Sequence, residues 1–309
     1  MDELLRDSTA GDPISGVKWT RKTSRKLSQE LQRRGHQVNS DTVRRLLRDR
    51  DYVLRVNRKR LTKEQAPERD RQMRYVARKR REFLKAGDPV ISVDTKKREL
   101  IGNFKQAGRA WRREPLDVLE YDYPSDADGV AIPYGVYDVG RNRALVVLGT
   151  THQTPEFAIA VIRTWLLIEG RPAYPRRGRL LIEADCGGAN GNRCWLWKFG
   201  LQQLADEFDL QIMVTHLPTG ASKWNPIEHR LFCFISQNWA GQPLVSYETA
   251  LKFIRTTKTE SGLRCRALLD TRHYATGIKI TREQKAQINL KPHRVLPKWN
   301  YTIEPHVTK

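Results

Sequence analysis

Three carboxylates define the chemistry that this chain could carry. Asp94 closes the apolar run Val90-Ile91-Ser92-Val93-Asp94-Thr95. Asp185 closes Leu180-Leu181-Ile182-Glu183-Ala184-Asp185 and is followed by the loop Cys186-Gly187-Gly188-Ala189-Asn190-Gly191. Glu228 stands near the start of Lys223-Trp224-Asn225-Pro226-Ile227-Glu228-His229-Arg230-Leu231-Phe232. The three lie 91 and 43 residues apart, so only a fold can gather them. Carboxylates are hard oxygen ligands suited to Mg²⁺ or Mn²⁺. Two such ions, roughly 3.5–4 Å apart, activate a water or a 3′-hydroxyl and stabilise the leaving oxygen of a phosphodiester. Three carboxylates brought together without cations would repel one another, which itself argues for metal. Each acid also has a plainer explanation. Asp94 is a strand-end residue beside Lys96 and Lys97, a ready ion pair. Asp185 opens an Asp-Gly type turn. With Asn225 as N-cap and Pro226 at N1, Glu228 falls at N3, the capping-box position. The order of the three, next to a strongly basic N-terminal region, favours the chemical reading.

The elements that must position these groups follow from hydrophobic spacing. Val90–Asp94 reads as a strand. Tyr134–Val139 and Ala144–Leu148, joined by Gly140-Arg141-Asn142-Arg143, read as a hairpin. Pro155 to Glu169 reads as a helix with Phe157, Val161, Ile162, Trp165 and Leu166 on one face. Leu180–Asp185 is a strand, Arg193–Phe208 a helix, Gln211–His216 a strand and Pro226 to about Asn238 a helix. Strands alternating with helices predict an α/β fold, a mixed sheet flanked by helices, with an all-α region ahead of it. Gly187, Gly188 and Gly191 suit a loop of positive φ over which a ligand approaches the backbone. Asp138 in the hairpin is read as turn chemistry, and His216 as a structural strand-end histidine. Residues 103–128 read as an irregular charged connection. Tyr247 to Ile254 has helical character, and the rest of the tail reads as extended.

Charge says what the chain meets. The 309 residues carry 56 Lys and Arg against 35 Asp and Glu, a net +21, with a pI near 10.1. Such an excess speaks about partners, with nucleic acid first. Residues 1–88 hold 25 basic against 13 acidic side chains. Within them a helix capped by Thr23 or Ser24, with Leu27 and Leu31 inward, stops at Gly35. A second begins at Asn39 or Ser40, with Val43, Leu46 and Leu47 inward and Arg44, Arg45 and Arg48 outward. Helix, short turn, helix is the arrangement that lays its second helix in a major groove. Arg58, Lys59 and Arg60 add a basic run for phosphate contact. A helix from about Gln65 to Lys85, ended by Gly87-Asp88-Pro89, carries Arg78-Lys79-Arg80-Arg81 and reads as a basic linker. The organisation is thus a helix-turn-helix DNA-binding region over 1–62, a linker helix over 63–88, a catalytic domain over 89–240 and a basic region of unassigned role over 241–309.

No apolar run reaches membrane-spanning length, and Met1-Asp2-Glu3-Leu4-Leu5-Arg6 lacks signal-peptide form. Cys186, Cys194, Cys233 and Cys265 form no C-x-x-C pair, so they are expected to be reduced thiols of a cytoplasmic protein.

The segments Ser92 to Leu100, Ala184 to Gly191 and Lys223 to Phe232 resemble the Rhodopirellula-type transposases, an insertion-sequence family with a DDE domain, over residues 13 to about 303. The resemblance implies an RNase H-like core, two Mg²⁺ or Mn²⁺ ions, and cleavage of element ends followed by strand transfer into target DNA. It maps the catalytic and metal-holding triad onto Asp94, Asp185 and Glu228. Lys96 and Lys97 are then expected to neutralise phosphates, and Asn190 and His229 to orient metal ligands or water. Double-stranded DNA is the partner, met by a homo-oligomer that joins two ends. Cys186 departs from the family, which carries Gly there. The chain also starts close to the part that matches at Pro13, so the alternative is a truncated, non-catalytic DNA-binding protein that represses transposition or is a remnant.

Overall fold

A computed structural model gives the fold of residues 22–53, 68–110, 112–119, 124–221 and 224–306, together with the backbone of two short strands, β1 (Thr9–Gly11) and β2 (Lys18–Thr20). The chain divides into two compact units, residues 1–63 and 64–309. In the first, β1 and β2 pair antiparallel ahead of the helices. Two helices follow, α1 (Ser24–Arg33) and α2 (Ser40–Arg48). Thr23 caps α1 and Asn39 caps α2 through side-chain oxygens that accept backbone N–H bonds, which satisfies donors that a helix start leaves open. The first helix ends as a Schellman turn. Gly35 takes φ 85°, and the His36 N–H reaches the Leu31 carbonyl at 3.0 Å. Ser28 and Gln32 both donate to the Val38 carbonyl and so fix the connection. Leu27, Leu31 and Val43 form a small core, with Val38, Leu47 and Tyr52 packed on it.

The second unit is built on a nine-stranded sheet. Its strands are β3 (Val90–Thr95), β4 (Glu99–Ile101), β5 (Gly129–Asp138), β6 (Arg143–Gly149), β7 (Arg179–Ala184), β8 (Gln211–His216), β9 (Arg264–Asp270), β10 (Leu290–Pro292) and β11 (Asn300–Ile303). The order across the sheet is β10-β11-β8-β7-β3-β5-β6-β9, with β4 paired to β5 off this path. β3, β5 and β6 run as an antiparallel meander, while β7 and β8 add in parallel on the other side of β3. An antiparallel meander whose first strand continues into parallel strands is the RNase H-like arrangement that the resemblance implies. Residues beyond 240, set apart in the sequence reading, supply β9, β10 and β11 to the same sheet.

Alternation along the central strands divides the core in two, because successive side chains leave a strand on opposite faces. Ile91, Val93, Leu180, Ile182, Ile212 and Val214 face one side, where α4 (Pro155–Trp165) and α5 (Trp195–Phe208) cover them with Phe157, Ile162, Trp165, Trp197 and Leu201. Val90, Leu181 and Met213 face the other side and meet Tyr75 and Phe83 of α3 (Arg69–Ala86). Further along that side, Tyr137, Val146 and Leu148 pack on Ile227, Leu231, Phe232 and Ile235 and on α7 (Tyr247–Thr256). The expected linker helix is therefore a layer of the core.

Candidate active site

Parallel pairing brings the first two acids to one edge. Val93 stands opposite Ala184 in the β3–β7 register, so Asp94 and Asp185 leave adjacent strands at the same end. Asp94 Oδ1 accepts the Thr95 N–H at 2.7 Å, and Oδ2 accepts Asn225 Nδ2 at 2.8 Å. Burial, followed by the Asp185 carboxylate, pushes Asp94 up to about 8. Glu228 adds to this, and the two hydrogen bonds oppose it. Asp185 is raised in turn, chiefly by burial and further by Glu228, against the Gly187 N–H. The two carboxylates and Glu228 thus sit within each other's field. Among the described residues none of the three forms an ion pair with a basic side chain.

The loop after Asp185 is a short 3₁₀ turn over Gly188–Asn190. Only Gly188 takes a positive φ, 60°, so of the three glycines expected to turn left-handed, one does. His216 ends β8 fully buried, with Nδ1 2.7 Å from the Asp185 carbonyl and Nε2 3.1 Å from Tyr301 Oη. Burial lowers its pKa to about 4, so it is a neutral strut under Asp185, the structural role read from its position. Cys186 beside it is raised to about 12 by burial and by Asp185, a thiol with no nucleophilic character at neutral pH.

Glu228 arrives by a different route. The helix that begins at Pro226 opens after two residues into a π-turn, Glu228–Phe232, before α6 (Cys233–Asn238). No capping box forms. The Asn225 side chain that would have capped the helix instead accepts from Ser92 Oγ at 2.8 Å and donates to Asp94. Tertiary contact wins over local capping because Asn225 is buried against β3, where an unpaired amide would cost about 1–3 kcal/mol. π-turns inside helices recur at functional sites, and this one starts at the acid. Burial raises Glu228, while the Lys96 ammonium and His229 lower it.

The supporting residues separate into three environments. Lys96 is buried, 2.6 Å from Glu99 Oε1 and 4.4 Å from the centre of the Trp239 ring. Its charge is therefore directed inward, toward Glu99 and Glu228, whereas its sequence position suggested phosphates. Lys97 and His229 are exposed on the same edge. Asn190 is buried and accepts the Tyr134 hydroxyl at 2.7 Å. Burial and the fields of Asp94 and Asp185 raise Tyr134 well above an ordinary phenol, so Tyr134 and Asn190 lie close beneath the acids as a neutral floor. Sequence reasoning missed Ser92, Tyr134 and Asn225. Ser92 and Tyr134 had no signal, being single polar atoms within strands. Asn225 had one, its place directly before Pro226, which was read as local capping.

In the N-terminal unit Arg44, Arg45 and Arg48 are exposed on α2, Arg44 in an ion pair with Asp41 at 2.6 Å. Arg58, Lys59 and Arg60 lie outside the described residues. The four cysteines are free thiols. No described helix is long and apolar enough to cross a membrane.

The acids fit a divalent cation by chemistry: hard oxygens, partly buried, mutually repelling and, among the described residues, without an ion pair to Asp94 or Asp185. Among the described residues no three His, Cys, Asp or Glu side chains close into a ready metal cage, so binding would draw them together. Asp138, by contrast, accepts the N–H groups of Gly140 and Arg141 and the Tyr174 hydroxyl, the turn role read from its position.

A family model described as Rhodopirellula transposase DDE domain matches residues 1–305, beginning ahead of the Pro13 suggested by the motifs. No curated protein matches the chain. Among solved structures, the Mos1 transposase paired-end complex with left transposon end is 16% identical with a TM-score of 0.45, covering 82% of this chain and 68% of that one. The Mos1 mariner paired end complex with Mn is 17% identical with a TM-score of 0.47, covering 75% and 65%. A pre-cleavage Mos1 transpososome is 17% identical with a TM-score of 0.46, covering 82% and 68%.

Proposed function

The chain belongs to the Rhodopirellula transposase DDE-domain family, and we propose that it cuts DNA at the ends of an insertion sequence and joins them to target DNA, with Asp94, Asp185 and Glu228 holding the divalent ions. The observation that carries this reading is the mutual field of three acids at one sheet edge, with no ion pair to cancel it among the described residues. Two Mg²⁺ or Mn²⁺ ions bound there would supply an activated water and then an activated 3′-hydroxyl, and would stabilise the leaving oxygen. The chain's own residues do the positioning. Thr95 N–H and Asn225 fix both oxygens of Asp94. His216 and Tyr301 hold the backbone of Asp185. Lys96, tied to Glu99 over Trp239, places a fixed positive charge near Glu228. The Tyr134–Asn190 pair forms a floor that carries no charge at neutral pH. In cleavage a water oxygen bonds to phosphorus, its proton passes to solvent, and the 3′-oxygen leaves to become a hydroxyl. That hydroxyl then bonds to a target phosphorus, gives its proton to solvent and displaces the target's own 3′-oxygen, which takes up a proton. Arg44, Arg45 and Arg48 on α2, with Arg58, Lys59 and Arg60, would grip the element end. Two copies would bring two ends together, as a soluble assembly on the bacterial nucleoid.

The test is a crystal of the full chain with a duplex of the element end, soaked in Mn²⁺ and read by anomalous difference density. A peak among Asp94, Asp185 and Glu228, with Mn²⁺-dependent nicking of the same duplex in solution, supports the reading. Ordered carboxylates without a peak, with DNA bound, would leave a non-catalytic DNA-binding protein instead. Nicking without joined products would make it a nuclease on the same core.

A further inference from the structure

α3 presents a face that the catalytic reading does not use. Its inner side packs on the sheet through Tyr75, Val76 and Phe83, and Arg80 Nε and Nη2 each hold a Glu183 oxygen at 2.7 Å. Its outer side carries Arg71, Arg74, Arg78 and Arg81 at spacings of three, four and three, all exposed. At 1.5 Å rise per residue this row is about 15 Å long. The segment before β11 runs beside it and adds exposed Arg294. It is pinned there by Tyr75 Oη at 2.6 Å from His293 Nδ1 and by His293 Nε2 at 2.8 Å from Thr302 Oγ1. Between helix and segment lie two adjoining hollows of about 500 and 450 Å³, floored by Tyr75 and Val295 and walled by the arginines. Arg74 pairs with Asp70, and Arg78 lies 5.1 Å over the Tyr75 ring. Arg71, Arg78, Arg81 and Arg294 form no ion pair with a carboxylate among the described residues.

We propose that this groove is a second DNA site, which takes the phosphate backbone of duplex DNA without reading its bases. The proposal rests on the reading of the chain as a DNA-acting protein. Arginines in a row give forked donors matched to phosphate oxygens, and their fixed spacing suits a regular polyanion better than a single small anion. A duplex offers one charge per roughly 1.7 Å of axis, so about 15 Å of groove meets several phosphates. The row also has a direction. Gln72, next to Arg71, donates to the carbonyl of His216, the residue whose ring holds Asp185. The Arg71 end of the row is therefore the end nearer the catalytic edge of the sheet, and the row runs away from it.

The experiment is the salt dependence of binding of the full chain to a duplex of unrelated sequence, read by fluorescence anisotropy. In the variant R71Q/R78Q/R81Q/R294Q the slope of log K against log salt falls in magnitude by roughly three to four, since each phosphate contact contributes about 0.9. The affinities for unrelated and end-bearing duplexes fall by the same factor. The matching Lys variant keeps most of the slope, which separates lost charge from lost folding. A quadruple Gln variant with the parent's slope and an unchanged thermal midpoint overturns the proposal. So does a variant that loses only binding to anionic lipid vesicles. If R44Q/R45Q/R48Q lowers DNA affinity while the α3 variant does not, the groove reading alone fails. If the parent chain binds no duplex at all, the groove and the function reading fail together.

Discussion

The two ends of the central sheet carry the same residue types and use them in opposite ways. At one end Asp88 meets Arg179 and Arg177. Asp138 takes three hydrogen bonds, and Glu169 lies between Arg141 and Arg266. Each of these acids meets only donors or cations. At the other end Asp94 and Asp185 also accept N–H bonds, but they face each other and Glu228 and form no ion pair with a basic side chain among the described residues. Within β7 the contrast is two residues wide. Glu183, fully buried, is closed by the Arg80 fork, and Asp185 is open. Burial raises the proton affinity of acids at both ends, but at Glu183 and Asp138 a guanidinium or hydrogen-bond donors oppose it, whereas at Asp94 and Asp185 neighbouring carboxylates add to it, and that is the field a cation would relieve.

The strongest break of this contrast is Asp185→Asn. It should cut strand cleavage by about 10³-fold or more, on the order of 4 kcal/mol in the barrier, and leave the DNA dissociation constant nearly unchanged. Equal losses in a cleavage assay and a binding assay would remove Asp185 from the chemistry. Next, Arg80→Ala strands Glu183 in the core and should lower stability by about 3–5 kcal/mol, read by urea unfolding. Asp185→Asn in the same assay should cost nothing or stabilise the metal-free chain. If both variants lose stability alike, the two acids are not differently used.

Asn225→Ala is expected to fall between these. Removing the group that orients a carboxylate ligand costs roughly 10–100-fold in metal affinity or activity, and here it also removes the acceptor of the Ser92 hydroxyl. Calorimetry with Mn²⁺ reads it, and an unchanged affinity would mean that Asp94 needs no orientation. Tyr174→Phe, at the opposite end, removes one donor to Asp138 and should cost about 1.5–3 kcal/mol with cleavage unaffected.

The smallest effect is a slope with pH. The folded-state pKa of Asp94, about 8, lies above the ordinary carboxylate value near 3.9. Between the two the folded chain holds the extra proton, so the contribution of Asp94 to the stability of the metal-free protein is fully present below about 4 and is lost as pH rises to about 8. Asp94→Asn should flatten that slope in thermal unfolding at a series of pH values. Mn²⁺ affinity should rise over the same range, because the ion must displace the proton.

Much of this was legible from residue order. The strand Gln211–His216, the helix starts at Thr23 or Ser24 and at Asn39 or Ser40, and the three acids on their elements follow from periodicity and capping chemistry, which are local. The tail was not legible. β9 is exposed and half-buried along much of its length, and β10 and β11 are three and four residues long, too short for periodicity to register. Arg78 to Arg81 read as one basic run, yet the helix turns Arg80 inward to Glu183, pairs Lys79 with Glu82 and leaves Arg78 and Arg81 outside. Asn225 read as a cap because the sequence sees Pro226 beside it and cannot see Ser92, 133 residues away.

By itself the sequence determined which side chains exist to do chemistry, the elements that carry them and a net charge that favours a polyanion as partner, because composition and short-range periodicity act through neighbours in the chain. The tertiary structure alone decided which of several strand-end acids, among the described residues, stand without a cation and face one another. A carboxylate's proton affinity and its appetite for a cation depend on burial and on charges within a few ångströms, and those neighbours come from segments dozens of residues away.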